Sequence, residues 1–551
     1  MSTGSRSAGR VSVAIVGAGP VGTTAANLLG CYGVDTLLID REHEIVDYPR
    51  AIGIDDECLR SFQSAGLAED ILGDAIQNVP LKLFDASGRC FADIRPASRE
   101  FGWYKRNIFM QPLAEAALRR GLERFAQVRT LFDTELTSLE QDERGVSLHL
   151  VSEGSRRIVV HADYVIAADG GRSSIRTRLG ISLEGTTHPR KWVVIDCAKD
   201  PLDAPYTALH CDPRRPYVCA HLPYGHRRWE FMLFPGEDAE QMLSPAKVNE
   251  LLSYHLTDPG IVEVVRARVY THHSRIAESF VQGRVALAGD AAHLMPPWAG
   301  QGLNTGIRDA TNLAWKLAAV VKGYAEPTLL DTYEQERRGH AKAMIDLSTT
   351  LGRILSPTRK SAARTRDVFL RTATIAPGVR NWIAEMRFKA KPHYRQGFIA
   401  PETGTPKLPS VGSMFIQPMV ETAGKRQVRL DEALGNWFAV VGFACDPVAR
   451  LDAAALAALD KLDARVIKVV ESRPGEAHHQ QPTARPGTVV IEDAHNELRR
   501  WFLARAKNVV VLRPDRYVAA LTSPQDLSRA LMTLLTPSSC GAEHGHQSCS
   551  S

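Results

Sequence analysis

The stretch Val11-Ser-Val-Ala-Ile-Val-Gly17-Ala18-Gly19-Pro20-Val21-Gly22-Thr-Thr-Ala-Ala-Asn-Leu-Leu29 decides the fold. An apolar run that breaks at a Gly-x-Gly-x-x-Gly turn and then resumes at helical spacing is a strand feeding a helix. Each glycine answers a separate demand: Gly17 the tight turn, Gly19 the close approach of a pyrophosphate, Gly22 the packing of helix on strand. Ala18, Pro20 and Val21 complete the same turn. Free N–H groups and a partial positive charge at the helix start then favour a phosphate. The bare motif is weak, because a glycine-rich turn without a ligand is written in the same letters. Thr36-Leu-Leu-Ile-Asp40 strengthens it, as a second strand that ends in a carboxylate placed for a ribose hydroxyl.

A second signal lies far downstream, in Arg284-Val-Ala-Leu-Ala-Gly289-Asp290-Ala-Ala-His293. A nicotinamide dehydrogenase has no use for a late strand-Gly-Asp-helix unit, whereas an FAD protein can set its carboxylate against the ribityl chain. Tyr164-Val-Ile-Ala-Ala-Asp169-Gly-Gly-Arg172-Ser-Ser174 is a third apolar strand running into a polar, glycine-rich turn. Three such units drawn from distant stretches are expected to converge on one long cofactor, FAD.

Composition narrows the remaining choices. Hydrophobic content of 44% and charged content of 23% are those of a globular protein. A net charge of +5, from 67 basic and 62 acidic residues, gives no footprint for nucleic acid. The nine cysteines are scattered without a CxxC pair, so neither a zinc site nor a disulfide framework is expected, and a reducing cytoplasm fits. Met1 to Arg10 lacks the apolar centre of a signal peptide, and even Leu313 to Val321 is interrupted by Lys316, so no stable membrane association is expected.

The segments GAGPVG, ADGGRSSIR and GDAAHLMPPWAGQGLNTGIRDATNLAWKL resemble the class A FAD-dependent aromatic hydroxylases, the superfamily of p-hydroxybenzoate and phenol hydroxylases. The motifs span about residues 11–350, and a weaker likeness covers the rest. The resemblance implies an α/β fold: a Rossmann-like FAD-binding domain, an inserted β-sheet substrate domain and a thioredoxin-like C-terminal domain. Residues 1–10 read as a disordered lead-in, 11–185 and 276–355 as the two parts of the FAD domain, and 186–275 as the substrate sheet. Residues 356–405 read as a surface connection, 406–537 as the thioredoxin-like domain and 538–551 as a disordered tail. Cys445 has no partner at redox spacing, so the C-terminal domain is expected to be structural.

The activity implied is hydroxylation of a phenol by O2, with NADH or NADPH as co-substrate. No second Gly-x-Gly-x-x-Gly follows a strand, which agrees with a nicotinamide that docks transiently. Tyr48 to Glu57 and Arg228-Trp-Glu-Phe231 carry a narrower likeness, to the branch acting on phenolic acids with a three-carbon side chain. Ortho-hydroxylation of 3-(3-hydroxyphenyl)propionate and 3-hydroxycinnamate is therefore the expected reaction. Another phenol, a resorcinol or a polyketide stands as the nearer alternative, and a non-catalytic FAD-binding sensor as the alternative of another class. A flavin halogenase is disfavoured by the absence of WxWxIP. A homodimer is compatible with the resemblance.

By the same resemblance, Arg50 reaches the pyrophosphate, Gln111 the ribityl chain and Arg41 the ribose side, with Asp169, Gly289 and Asp290 along the cofactor. Gly302, Leu303 and Asn304 begin a helix whose N–H groups face the flavin edge where negative charge accumulates. On the substrate side, the Pro297 carbonyl is a candidate to orient the phenol, or a plain helix-entry proline. Arg228 is a candidate partner for a carboxylate, against the commoner reading of a solvated strand arginine. Tyr217 and Trp229 either line the ring site or pack the sheet, while His210, His221 and His293 are candidate proton acceptors that are structural by default. Asp55 and Asp56 are expected to cap the helix they open.

Overall fold

The computed structural model describes residues 6–402, 408, 410–424, 426–471 and 485–535. The chain divides into two compact units, one built mainly of residues 1–321 and 333–392, the other mainly of 393–415 and 419–551.

The first unit is organised by a parallel sheet. Arg6–Val16 pairs on one side with Thr36–Ile39, which pairs with Val128–Leu131, and on the other with Arg156–Ala167, which pairs with Val285–Leu287. In chain order this is the 3-2-1-4-5 arrangement of a doubly wound dinucleotide fold. The strand order reverses between Arg6–Val16 and Arg156–Ala167, which run parallel, and ligands of such sheets bind in the crevice beyond that switch point. Gly17 and Ala168 follow those two strands, so topology brings the glycine turn and the Asp169 turn together. The first strand begins at Arg6, inside the expected lead-in, because Arg6 and Ser7 pair with Ile158 and Val159 before a bulge precedes Arg10. Residues 1–5 and the tail expected at 538–551 lie outside the described residues.

A second eight-stranded sheet roofs the first unit. Its order is His293–Leu294, Glu263–Ala277, Leu183–Ala198, His226–Met232, Tyr217–Leu222, Thr207–His210, Leu81–Phe84, Cys90–Ile94. The last two strands come from well before residue 186; Leu81–Phe84 joins in parallel to Thr207–His210 and extends the sheet beyond the segment expected to form it. The pleat divides the residues cleanly. Val193, Ile195, Tyr217, Cys219, Trp229 and Phe231 enter a buried apolar cluster that also takes Val248, Leu251 and Leu252 from the helix Pro245–Leu252. Their neighbours Val194, Val218, Arg228 and Glu230 face the opposite way, into a cavity.

Two long helices close the first unit, Gly302–Val321 and Asp331–Leu355. The segment expected to be a surface connection instead carries helices Lys360–Ala373 and Pro377–Ala384, and Met386, Phe388 and Lys389 beyond them line the cavity.

The second unit holds a seven-stranded sheet in which Ala439–Phe443 is parallel to Arg465–Glu471 and antiparallel to Val509–Leu512, which is antiparallel to Val518–Thr522. With Ala453–Lys461 as the crossover helix, this is the strand order of the thioredoxin fold. Cys445 follows the first of these strands, and burial pushes its thiol up to about 11, away from the thiolate that redox exchange requires.

Candidate active site

A cavity of about 530 Å³ lies within the first unit, between the glycine turn and the roof sheet. That is the size of a site for a small molecule. At its floor the glycines divide their work. Gly17 has φ +108, and a Cβ there would stand 2.2 Å from the Ala168 oxygen. At Gly22 a Cβ would meet the Gly17 oxygen at 1.9 Å and Ile15 Cγ2 at 3.2 Å, so helix and strand approach only because it is absent. At Gly19 a Cβ would meet nothing within 4 Å, which leaves open space over the backbone where a pyrophosphate belongs. The residues present therefore fit a dinucleotide.

Asp40 ends its strand beside the turn. Its Oδ2 accepts the Ala18 N–H at 2.5 Å and its Oδ1 the Glu42 N–H at 2.9 Å. Arg41 is exposed and paired with Glu42 at 3.2 Å, outside the cavity lining. Arg50 and Asp290 both line the cavity and approach to 3.8 Å. Gln111 lines it too; its Oε1 accepts the Ala51 N–H at 2.6 Å and its Nε2 donates to Glu115 Oε1 at 2.7 Å, which fixes the loop after Arg50. Asp169 does not line the cavity, although Ala168 and Gly170 do. Its Oδ2 accepts the N–H groups of Ser174 (2.8 Å) and Ile175 (3.2 Å), a capping role, while its buried Oδ1 has no hydrogen-bond partner among the described residues.

The Gly289 turn is held by the helix that follows it in sequence. Asp309 accepts the Gly289 N–H at 3.1 Å, lies 2.7 Å from His293 Nε2, and takes the Arg337 Nε–H at 2.8 Å. His293 is thereby a sealed structural group rather than a proton acceptor. Gly302, Leu303 and Asn304 all face the cavity at the helix start, ahead of the bond from the Thr305 N–H to Gln301 O (2.8 Å). First-turn N–H groups have no partner within their own helix and are free for a ligand. Asn304 also ties three segments together, donating to Gly53 O and Gly300 O and accepting the Asp55 N–H. The Pro297 carbonyl accepts the Gly300 N–H at 2.8 Å, so one of its two lone pairs remains for a phenol.

Behind this helix start lies an ion network that the sequence did not disclose. Asp55 caps its helix by accepting the Cys58 N–H at 3.0 Å, but it also bonds to Arg308 and, at 2.9 Å, to Lys389. Glu57 bonds Arg308 at 2.8 Å and Lys389 at 2.8 Å, and these cations hold its carboxyl down to about 2 against the opposing effect of burial. The carboxylates of Asp55, Asp56 and Glu57 stand within 4.8 Å of one another, and the cations that answer them are protein side chains. The signal for Arg308 was the Arg-Asp pair in Gly306-Ile-Arg308-Asp309; nothing local marks Lys389.

The roof corrects two substrate-side expectations. Tyr217 belongs to the core cluster behind the sheet, stacked on His210 at 4.3 Å, because strand parity turns it away from the cavity. Trp229 lies in the same cluster, fully buried. His210 goes with them, and burial with His255 beside it lowers its pKa to about 3. His221 is engaged at 3.5 Å with Asp200. Arg228 does face the cavity, but it is already satisfied. Its Nε donates to Asp196 Oδ1 at 2.7 Å, Nη2 to Asp196 Oδ2 at 3.1 Å and to Pro49 O, and Nη1 to Arg50 O at 2.9 Å. It pins the Pro49–Arg50 loop under the roof and is not a free cation for a substrate carboxylate. Two cavity residues were missed. The Glu230 side chain makes no hydrogen bond among the described residues, and burial raises its carboxyl pKa while Arg228 opposes that shift. Arg106 has no carboxylate partner among the described residues.

A doubly wound sheet bearing a glycine turn, roofed by a second, largely antiparallel sheet over a cavity, is the arrangement expected of the class of FAD-dependent aromatic hydroxylases. Residues 10–348 match the model of the FAD binding domain family, and residues 412–537 that of the HcaD C-terminal domain. A 3-(3-hydroxy-phenyl)propionate/3-hydroxycinnamic acid hydroxylase of Burkholderia cenocepacia is 53% identical over 93% of this chain and 94% of its own length. A protein of the same name from Klebsiella pneumoniae is 48% identical over 95% and 94%. Among solved structures, the flavin-dependent monooxygenase PieE in complex with FAD and substrate shares the fold with a TM-score of 0.78 at 24% identity, over 96% of this chain and 99% of that one. The chain belongs to this FAD binding domain family, on its flavin hydroxylase branch, and is an FAD-dependent monooxygenase.

Proposed function

We propose that this enzyme uses NADH or NADPH and O2 to hydroxylate 3-(3-hydroxyphenyl)propionate, and its 3-hydroxycinnamate analogue, ortho to the phenol, giving the 2,3-dihydroxy acid. The observation that carries the reading is the relatives of that name, 46–53% identical over 93–96% of the chain, joined to a cavity that runs from the glycine turn to the roof. The chemistry that FAD supplies when bound is reduction by the nicotinamide and delivery of one oxygen atom of O2 to an electron-rich ring.

The residues of the chain divide the remaining tasks. Gly17 to Gly22 and the helix they open hold the pyrophosphate, Asp40 the ribose, and Arg50, Gln111 and Asp290 the stretch towards the ring. The N–H groups of Gly302, Leu303 and Asn304 face developing negative charge at the flavin edge. The Pro297 carbonyl orients the phenol hydroxyl, and Glu230 takes its proton. A carboxyl raised by burial toward the working pH is a suitable acceptor. Aromatic walls such as Trp192 and Trp298, whose rings meet edge-on at 4.8 Å, keep water from the ring. No helix among the described residues is long and apolar enough to cross a membrane. The scattered cysteines, without a disulfide framework in the sequence, support a reducing cytoplasm as the compartment.

The test is stimulation of NAD(P)H oxidation across a panel of phenols. Phenylpropanoid acids are expected to stimulate most; a panel in which simple phenols or polyketides stimulate and these acids do not would remove the substrate assignment. Glu230→Gln is expected to keep its FAD and to lose the limb of the pH profile in which activity falls as Glu230 takes up a proton. An unchanged profile would remove Glu230 from this role.

A further inference from the structure

Burying a cation in a largely apolar cavity is costly unless a counter-charge meets it. The cavity is lined by Arg50, Lys105, Arg106, Arg228 and Lys389. Arg228 is paired with Asp196, Lys389 with Asp55 and Glu57, and Arg50 stands 3.8 Å from Asp290. Burial pushes the neighbouring Asp56 carboxyl up to about 7, and Lys105 is among the cations that oppose that shift. Arg106 differs from all of these. The one hydrogen bond of its side chain among the described residues runs from Nε to the Val79 carbonyl at 3.1 Å, which aims the guanidinium without neutralising it. No carboxylate raises its pKa, and burial alone brings it down to about 10. Its two Nη groups thus have donors to spare inside a chamber that water must leave.

A second unpartnered group lines the same cavity: the Thr207 Oγ1 is buried with no hydrogen-bond partner among the described residues. The two residues are fastened to consecutive residues of one segment: Arg106 donates to Val79 O, and the Thr207 N–H donates to Pro80 O at 3.0 Å. A guanidinium with two Nη groups to spare and an unpartnered hydroxyl, both on the lining of one cavity, describe the missing group as a carboxylate. The spacing is also right for a long aromatic acid. On the roof, Thr207 pairs with Ala220 and Leu209 with Val218, whose strand pairs in turn with that of Arg228 and Glu230. Glu230 therefore stands two strand spacings, about 10 Å, from the Thr207 strand on the same face. A ring held between them presents its phenol to one end and its acid to the other.

We infer that Arg106 and Thr207 form the carboxylate-binding end of the substrate cavity, selecting monoanionic aromatic acids over neutral phenols. The inference rests on the reading of the enzyme as a phenolic acid hydroxylase and assigns the selectivity to residues other than Arg228.

The test compares 3-(3-hydroxyphenyl)propionate with its neutral counterpart 3-(3-hydroxyphenyl)propan-1-ol on the purified holoenzyme. Arg106→Met is expected to raise KM for the acid roughly 10- to 100-fold and leave that for the alcohol within about threefold. Thr207→Val is expected to raise KM for the acid alone, by about 3- to 10-fold. Should the methionine variant fail to fold, Arg106→Lys keeps the charge without the fork and is expected to raise the KM of the acid only. An equal effect on both compounds, no effect on either, or a loss of FAD from a folded variant would overturn the assignment. A wild-type enzyme that turns over neither compound would contradict the functional reading instead. The subsite is then judged by whether Arg106→Met weakens the quenching of flavin fluorescence by other phenolic acids and spares neutral phenols.

Discussion

The floor and the roof of the cavity are built by different kinds of constraint. On the floor, backbone meets backbone: Gly17 and Gly22 are required because a Cβ would stand about where a carbonyl oxygen already is, at 2.2 and 1.9 Å. On the roof, side chains meet side chains, and the role of a residue depends on strand parity and on who its neighbours are. Tyr217 and Arg228 lie on adjacent strands, yet one is packed behind the sheet and the other faces the cavity with its charge already paired. Steric constraints of the first kind are written in single letters; pairing of the second kind is not.

The largest effect should come from the floor, and it should split in two. Gly22→Val is expected to abolish the folded enzyme, since helix and strand cannot approach, and circular dichroism would register the loss. Gly19→Val is expected to leave a folded but colourless protein whose FAD affinity has dropped by at least about 100-fold, because its side chain points into empty space. If the two variants behave alike, the division of labour among the glycines is wrong.

The buried ion network beneath the helix start comes next. Arg308→Met leaves Asp55 and Glu57 underpaired, and denaturant unfolding is expected to show a loss of about 3–5 kcal/mol. The pH dependence has a definite sign. Glu57 is held at about 2 in the folded chain, below its unfolded value, so its contribution is complete above that unfolded value and is lost as pH falls towards 2. In Arg308→Met the acid-side loss should be shallower. An unchanged acid limb would mean that the network does not contribute as a unit.

Arg228→Met separates loop positioning from substrate binding. With its bonds to Pro49 O and Arg50 O gone, FAD affinity is expected to fall about tenfold, while KM for the acid at saturating FAD moves little. The opposite pattern would return Arg228 to the substrate. The smallest effect is expected at Tyr217→Phe, with kcat and KM within about twofold and stability within about 1 kcal/mol, as the ring keeps its packing behind the sheet.

Much of the floor was legible in the chain. The strand-turn-helix around Gly17, the Gly289-Asp290 turn and the helix starting near Gly302 could each be read from local pattern, because each is a local geometric requirement. Asp169 shows what the letters leave open: a carboxylate at a strand end can serve a ligand or a helix start, and here one of its oxygens is taken by two N–H groups of the helix that follows. The substrate side resisted reading because its members are far apart in sequence. Arg106 precedes a short strand, Thr207 and Glu230 sit on the roof, and Lys389 arrives from a segment that looked like a surface connection. Their roles depend on which of them lack partners, a property of the folded chain.

The most direct test of the whole account is turnover of 3-(3-hydroxyphenyl)propionate by the yellow holoenzyme under isotopically labelled dioxygen with NADH or NADPH. The account predicts a 2,3-dihydroxy product carrying one labelled oxygen atom. A colourless protein that stays so in excess FAD, or a product without label, would contradict it.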